Sequence, residues 1–426
     1  MNTASCHAFG TRRRRGMTIV EMLVAMAATL LLMSVVAQLF SVLGRTVSQS
    51  TNVQDMNAQM RSVARMLRQD LDGMTVDARP PVDAEKELGY LEIIEGVAKD
   101  GLGIAGDWDD AILFTSTSLT EPYRGTLNGV PGGFQSQAAE IAWFCVISSD
   151  QPLASYGITT YTLYRRQLLA AAYIGELPFA PENRKAATDW PTFYEDNDIS
   201  ARREGGFLYP NSLGDLTKRE NRFLHAASFP HQFLGDGNIG AILTSDARRG
   251  DDIVLTNVIA FDVRVFDPKA TVQSAGGVPV IPGDAGYGSG TAVGSGAYVD
   301  LGWDATKTNP IAMASAFPPN GQSVFQGRGV SLVNAASTLQ FTLPTYDTWS
   351  THYETNGRDE NGNGPFDEGT DGRDNNDNGL VDEAAEAETS APYPVRLRGI
   401  EIRIRCCDPR SRQIRQVTVR HALAPR

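Results

Sequence analysis

The sequence predicts an α+β protein, in which a long N-terminal helix packs on an antiparallel β-sheet, and two observations carry that expectation. One is a helical pattern running from Met17 to about Asp72, apolar on all sides at first and on one face later. The other is an abrupt change beyond Pro81 to short alternating or fully apolar runs separated by turn residues, which is how strands read. A sheet must bury an apolar face against another element, and the long helix is there to cover it.

The chain has 426 residues, of which 42% are hydrophobic and 21% charged. That composition belongs to globular proteins, and the length suits one large domain or two smaller ones. Net charge is −12, and loss of Arg12, Arg13, Arg14 and Arg15 with an N-terminal leader would take it to −16. Such an acidic chain is not expected to bind the phosphate backbone of nucleic acid.

The first element opens with RRRRG at residues 12–16, followed by an apolar run to Leu43 whose polar interruptions are Thr18, Glu21, Thr29, Ser34, Gln38 and Ser41. As a helix, Met22 to Leu43 covers about 33 Å, enough for a bilayer core. The arginines should stay on the cytoplasmic side while the C-terminal bulk crosses. A cleaved secretory signal would show a shorter apolar core ending in small residues. Here the basic stretch instead ends in glycine, before the apolar run. Glu21 is the anomaly, because a carboxylate at the start of a spanning segment is costly and usually has a partner and a purpose. If the chain is cut between Gly16 and Met17, Glu21 becomes the fifth residue and Met17 carries a new amine. Glu21 of one subunit could then pair with that amine in its neighbour, neutralising both charges and setting an axial register.

The segment GMTIVEMLVAM, Gly16 to Met26, resembles the cleavage and methylation motif of type IV prepilins and type II secretion pseudopilins. The resemblance implies a membrane prepilin peptidase that cuts after Gly16 and N-methylates Met17, with Glu21 matching the family's glutamate at the fifth mature position. It also implies, as partners, other pilin-like subunits, membrane lipid and an inner-membrane assembly platform. The expected location is the bacterial inner membrane, crossed once, with the head in the periplasm or in an extracytoplasmic filament.

Residues 1–16 are thus expected to be a leader, 17–43 the transmembrane half of the helix and 44–80 its amphipathic half. In the latter, Met56, Met60, Val63, Leu67, Leu71 and Met74 recur at spacings of three and four, which marks one core-facing stripe. Arg61, Arg65, Arg68 and Asp70 are expected on other faces. Gly73 is a weak point, and Pro80-Pro81 closes the segment. The whole helix would reach roughly 84 Å.

Residues 81–426 should form a β-rich head. Its best strand candidates are Ala111 to Ser116, Glu140 to Ile147, Thr159 to Leu163, Ile253 to Phe266, Arg398 to Arg405 and Gln413 to His421. The last two should make a terminal hairpin joined across Cys-Cys-Asp-Pro-Arg-Ser-Arg. DLDGM, DDAILFTS, YTLYRR, LTNVIAFDVRVFD and YPVRLRGIEIRIR occur in that order along the chain. Together they resemble the minor pseudopilin J group of type II secretion systems. The chain is longer than that group implies, chiefly in Ile174 to Arg249 and Pro268 to Ala384. Residues 268–345 read as a Gly/Pro-rich insertion, within which Gly276 to Ala297 is expected to be a loop. No lysine follows its glycines in a strand-to-helix setting, so it is not a phosphate cradle.

Residues 356–386 contain a fifteen-residue repeat, RDENGNGPFDE from Arg358 and RDNNDNGLVDE from Arg373. Asp359, Asn361, Asn363, Asp367 and Glu368 align with Asp374, Asn376, Asn378, Asp382 and Glu383. Oxygen ligands at positions 1, 3 and 5, glycine at 6 and a carboxylate at 9 suit a hard cation such as calcium in a tightly curled loop. Thr370 and Ala385 stand where an EF-hand has its glutamate, so the repeat is closer to the acidic calcium loops of secreted bacterial proteins. A solvated Asn/Gly/Asp turn is the alternative. Phe366 and Val381 would tuck the loops onto a core.

No organic cofactor and no enzymatic activity are expected, since G-x-S-x-G, H-E-x-x-H and C-x-x-C are all absent. His7, His225, His231, His352 and His421 read as packed or surface residues. Cys145, Cys406 and Cys407 would remain after processing, either as buried thiols or with one of the adjacent pair bridged to Cys145. The expected role is structural, a minor pilin-like subunit of a type II secretion-like filament. The alternatives are a minor type IV pilin for adhesion, motility or uptake, and a membrane-tethered enzyme exported by the prepilin route.

Overall fold

The computed structural model describes residues 17–80, 82, 86–96, 106–127, 133–170, 193–195, 197–204, 206–218, 221–223, 248–284, 286–303, 330–333, 339–342, 344–348, 357, 364–375, 377, 379–382, 386, 393 and 395–423. It describes only the backbone at 42–52, 249, 330–333 and 339–342. Two compact units meet at Asp55 and Met56, and one helix, α1 (Ile19–Asp72), belongs partly to each. Within the first unit, Ile19–Ser41 is long and apolar enough to cross a membrane. Its large apolar side chains from Met17 to Phe40 stand 41% to 79% exposed. An apolar surface of that extent requires lipid or other helices around it.

Among the described residues, the second unit is built on sixteen short or long strands: β1 (Leu91–Ile94), β2 (Ala111–Thr117), β3 (Tyr123–Gly125), β4 (Phe134–Ser136), β5 (Ala138–Ile147), β6 (Tyr161–Ala170), β7 (Ala201–Glu204), β8 (Phe207–Pro210), β9 (Ile253–Ala275), β10 (Val278–Val280), β11 (Thr291–Val299), β12 (Val330–Val333), β13 (Leu339–Thr342), β14 (Thr345–Asp347), β15 (Gly399–Cys407) and β16 (Ile414–Ala422). Among the described residues, the main sheet runs β14-β1-β2-β5-β6-β9-β15-β16, with β10 and β11 also paired to β9. Every pairing in it is antiparallel. With the apolar helix, this is the α+β layout expected.

The strands are apolar almost throughout because both faces of the sheet are covered. Side chains alternate across a strand, and here the two sets enter different cores. Ile93, Ile112, Phe114, Ile141, Trp143 and Leu163 join the helix residues Met56, Met60, Val63, Leu67 and Leu71 in one core. Ile94, Leu113, Phe144 and Leu168 face a second core closed by Phe193, Tyr194, Leu208, Leu216 and Phe223. Part of the long segment after Ile174 is therefore a lid over the back of the sheet.

All six residues of the predicted helical stripe, Met56 to Met74, are buried. Asp70 departs from expectation, because it lies inward and is only 3% exposed. Arg165 on β6 donates to both of its oxygens, Nε to Oδ2 and Nη2 to Oδ1, each at 2.7 Å. Trp143 Nε1 on β5 donates to Oδ2 at 2.9 Å. A carboxylate can be buried on an apolar face only if such donors replace water. One turn later the helix stops at Gly73, where a Cβ would sit 2.2 Å from the Thr117 carbonyl oxygen. The chain then continues as an extra partner for β2, with Thr117 N–H on Gly73 O and Thr75 N–H on Thr115 O.

Three expectations are corrected. The glycine-rich stretch Gly276 to Ala297 is only partly a loop, since it supplies β10 and most of β11, both hydrogen-bonded to β9, on either side of a turn segment. β9 itself continues past Phe266, because the register shift opposite Ser295 and Ala297 absorbs Pro268, which has no N–H to give a ladder. Cys406 and Cys407 are not in the terminal turn but end β15, opposite Arg415 and Ile414. Cys145, Cys406 and Cys407 are free and buried. Burial pushes the Cys406 thiol up to about 12 and raises Cys145 and Cys407 as well, so these thiols are poor nucleophiles.

The second core contains an acid the sequence does not single out as buried, Glu140. Its Oε1 accepts from Tyr90 OH at 2.7 Å and Phe223 N–H at 3.0 Å, and its Oε2 accepts from Ser200 Oγ at 2.7 Å. Beside it, Arg222 lies 4.0 Å from the Tyr90 ring centre and bridges Glu92 on β1 to Asp347 on β14. Burial dominates at Glu140 and pushes its carboxyl from 4.5 up to about 7, against the pull of those hydrogen bonds.

Two outcomes follow from these buried acids. Asp70→Ala should cost about 3–5 kcal/mol, because it strands the Arg165 guanidinium, and denaturant unfolding of the full chain in detergent measures it. For Glu140 the folded value is the higher one, so its contribution is complete below about pH 4.5 and is lost as pH rises through about 7. Glu140→Gln keeps the two bonds accepted by Oε1 and reverses the third, its amide N–H donating to Ser200 Oγ, without the charge. It should therefore gain roughly 3 kcal/mol on the parent chain between about pH 4.5 and pH 8. Equal pH slopes for the two proteins would contradict this.

Candidate functional site: the capped N-terminal helix and the acidic groups of the head

At the N-terminus, Thr18 and Glu21 form a reciprocal cap on α1. Thr18 N–H donates to Glu21 Oε2 at 2.9 Å, Thr18 Oγ1 lies 3.1 Å from the same oxygen, and Glu21 N–H donates to Thr18 Oγ1 at 3.3 Å. This is the capping box, which satisfies two orphan helix donors at once. The Thr-x-x-Glu spacing that announces it is visible in the sequence, although the charge of Glu21 draws attention first. Both bonds to the carboxylate fall on Oε2, so Oε1 is the oxygen left for a donor from elsewhere. Deeper in the helix, Thr29 Oγ1 bonds back to the carbonyls of Ala25 and Met26 at 3.0 and 2.8 Å, which hides its hydroxyl from an apolar surrounding. Met17 is 68% exposed, and Gly16 lies outside the described residues.

Of the predicted cation ligands, Asp359, Asn361, Asn363, Asn376, Asn378 and Glu383 lie outside the described residues. Of the others, Asp367 and Asp382 repeat one geometry at a fifteen-residue interval. Asp367 accepts the N–H of Gly357 at 3.0 and 2.9 Å, and Asp382 accepts that of Gly372 at 2.9 Å. Asp367 and Asp382 share φ of 54°, with positive φ also at Gly364 and Gly379. Asp374 accepts Gly379 N–H at 2.7 Å. Left-handed backbone of this kind suits aspartate and glycine. Glu368 is buried, and Asn375 N–H donates to buried Glu386. The apolar residues do not tuck inward as expected, since Phe366 is 57% and Val381 56% exposed. Side-chain-to-backbone bonds, and not apolar burial, close these turns.

Sequence reasoning misses a different acidic group. Glu95 follows β1, Asp107, Asp109 and Asp110 precede β2, Asp262 lies on β9 and Asp300 follows β11, and all but Asp300 are at most 4% exposed. Burial first, then repulsion from Asp110 and its other neighbours, holds Glu95 and Asp107 well above the usual carboxylate range. Asp110 is raised likewise by burial and Asp262, against the pull of two backbone N–H groups. The signal that could have found it is Asp107-Trp108-Asp109-Asp110 set directly against an apolar strand, where solvent cannot reach all three acids.

Substitution at the cap separates its two parts. Thr18→Ala should destabilise the first turn of α1 by about 1 kcal/mol, read as faster amide exchange at residues 18–21 in micelles, whereas Glu21→Gln should leave exchange there nearly unchanged because glutamine also completes the box.

Residues 11–37 match the family described as the prokaryotic N-terminal methylation motif. No curated protein and no solved structure matches the chain. The match carries Gly16, Met17 and Glu21, and it supports the type IV pilin and pseudopilin family generally. It implies processing by prepilin peptidase and assembly with other pilin subunits, and together with the apolar helix Ile19–Ser41 it is consistent with a single-pass membrane anchor.

Proposed function

We propose that the chain is a minor pilin-like subunit of a type II secretion-like filament, of the pseudopilin J kind, cut after Gly16 and assembled through its N-terminal helix. It would be held in the bacterial inner membrane with its head in the periplasm until it enters the filament through an assembly platform. Its role is structural and not catalytic. The observation that carries this reading is Glu21, the one carboxylate of the apolar stretch Ile19–Ser41, whose surface is exposed all round, inside a match to the methylation motif. The cap uses Oε2, so Oε1 remains for the amine that processing would create on Met17 of an adjoining subunit. The paired loops of residues 356–386 are read as structural calcium sites.

A minor type IV pilin that binds a surface or ligand is the second reading. The exposed Phe366, Leu380 and Val381 at the ends of the paired turns favour it. In either case mass spectrometry of the native protein should find N-methylated Met17 as first residue. Glu21→Val and Glu21→Gln should both insert in the membrane yet fail to enter filaments, as tested by crosslinking and shearing. If Glu21→Gln assembled normally, the charge pairing would be wrong and the cap alone would explain the residue. Full function of both variants in cells would favour an exported enzyme merely tethered by this route.

A further inference from the structure

Around the start of β2 the sheet is interrupted in an unusual way. β6 leaves β9 after Val258, and the edge it exposes is taken by residues 106–110. Gly106 N–H donates to Ile259 O, Phe261 N–H to Asp107 O, and Val263 N–H to Asp110 Oδ2 at 2.7 Å. Asp110 Oδ1 accepts Gly96 N–H at 2.9 Å, and Glu95 Oε2 accepts Leu301 N–H at 3.0 Å. Backbone from four places in the chain therefore presses carboxylates together. One carboxylate oxygen from each of Glu95, Asp107 and Asp110 lies within 4.8 Å of the other two, and all three residues are buried. Arg264 sits nearby, but its Nε is held by Asp262 at 3.0 Å and Asp300 at 2.9 Å.

Asp107 is the telling member. It is 1% exposed, and its Oδ1 is shut off from solvent with no hydrogen-bond partner among the described residues. Protein interiors leave few such atoms without a reason. An ionised oxygen in that position calls for a cation. Oxygens up to 4.8 Å apart fit around one ion at 2.3–2.6 Å from each.

We propose that Glu95, Asp107 and Asp110 bind a calcium ion that fastens the β1–β2 connection to β9. Three carboxylates supply a hard, oxygen-only donor set. Magnesium demands octahedral geometry at shorter distances and keeps several waters, which suits an enclosed, all-protein cage less well. The site is separate from the paired loops of residues 356–386 and does not depend on the filament reading.

The test uses the full chain in detergent, with and without Asp367→Asn, Asp374→Asn and Asp382→Asn together to silence the paired loops. With the loops silenced, equilibrium dialysis should still find one bound calcium per chain, and calcium should raise the melting temperature over chelator by on the order of a few degrees. Asp107→Asn should abolish both effects. In chelator it should melt no lower than its parent, because it removes a buried carboxylate that lacks a partner. Glu95→Gln should act in the same direction. No bound calcium in the loop-silenced chain, an unchanged calcium shift in Asp107→Asn, or an equal shift from magnesium would each overturn the proposal. Dialysis of the loop-silenced chain decides for or against the site even if Asp107→Asn does not fold.

Discussion

The buried charge pair between Asp70 and Arg165 is the constraint on which the head depends. Sheet strands β2, β5 and β6 present an apolar face that must be covered, and the element that covers it is the end of α1. Apolar packing alone would leave the helix free to slide by a turn, because a stripe of methionine and leucine is tolerant of register. Asp70 removes that freedom. Two oxygens engaged by a guanidinium fork and an indole N–H fit one rotation and one axial position. The pair need not add net stability to do this, since desolvation offsets much of its attraction.

From that anchor the rest of the second unit can be followed outward. Gly73 lets the chain press on Thr117 and become a strand partner, so helix and sheet are joined by backbone as well as by side chains. The opposite face is closed by the segment around Tyr194 and Phe223, and its polar members form a linked set through Tyr90, Glu140 and Arg222. A sheet with charged networks on its buried back face is intolerant of partial satisfaction. Glu140 is therefore a better reporter of that layer's integrity than any of its apolar neighbours.

Much of this plan was legible in the sequence, and the reasons are local. The stripe from Met56 to Met74 follows helical periodicity, and the strands at Ala111, Glu140, Ile253 and the terminal hairpin follow β-branched runs. What escaped was long-range. Nothing near Asp70 announces Arg165, which lies ninety-five residues away, so it reads as a surface acid. Glu140 and Asp107 are hidden for the same reason. Glycine content misled at Gly276 to Ala297, where pairing with β9 overrides a weak local preference for strand. At the N-terminus the methylation motif was readable because it is contiguous, whereas the cap at Thr18 required asking where the first backbone donors go.

β9 has a further consequence. Its first part pairs with β6, its middle with β15 and its last part with β11 and β10, so among the described residues one strand of twenty-three residues serves four partners. The outermost stretch, with β10 and β11, is an outgrowth of the ladder and not a rearrangement of it. Lineages could lengthen or trim that outgrowth one hairpin at a time while the Asp70 anchor stays fixed. A change in the length of that outgrowth would leave untouched the ion pair that fixes α1 on β6.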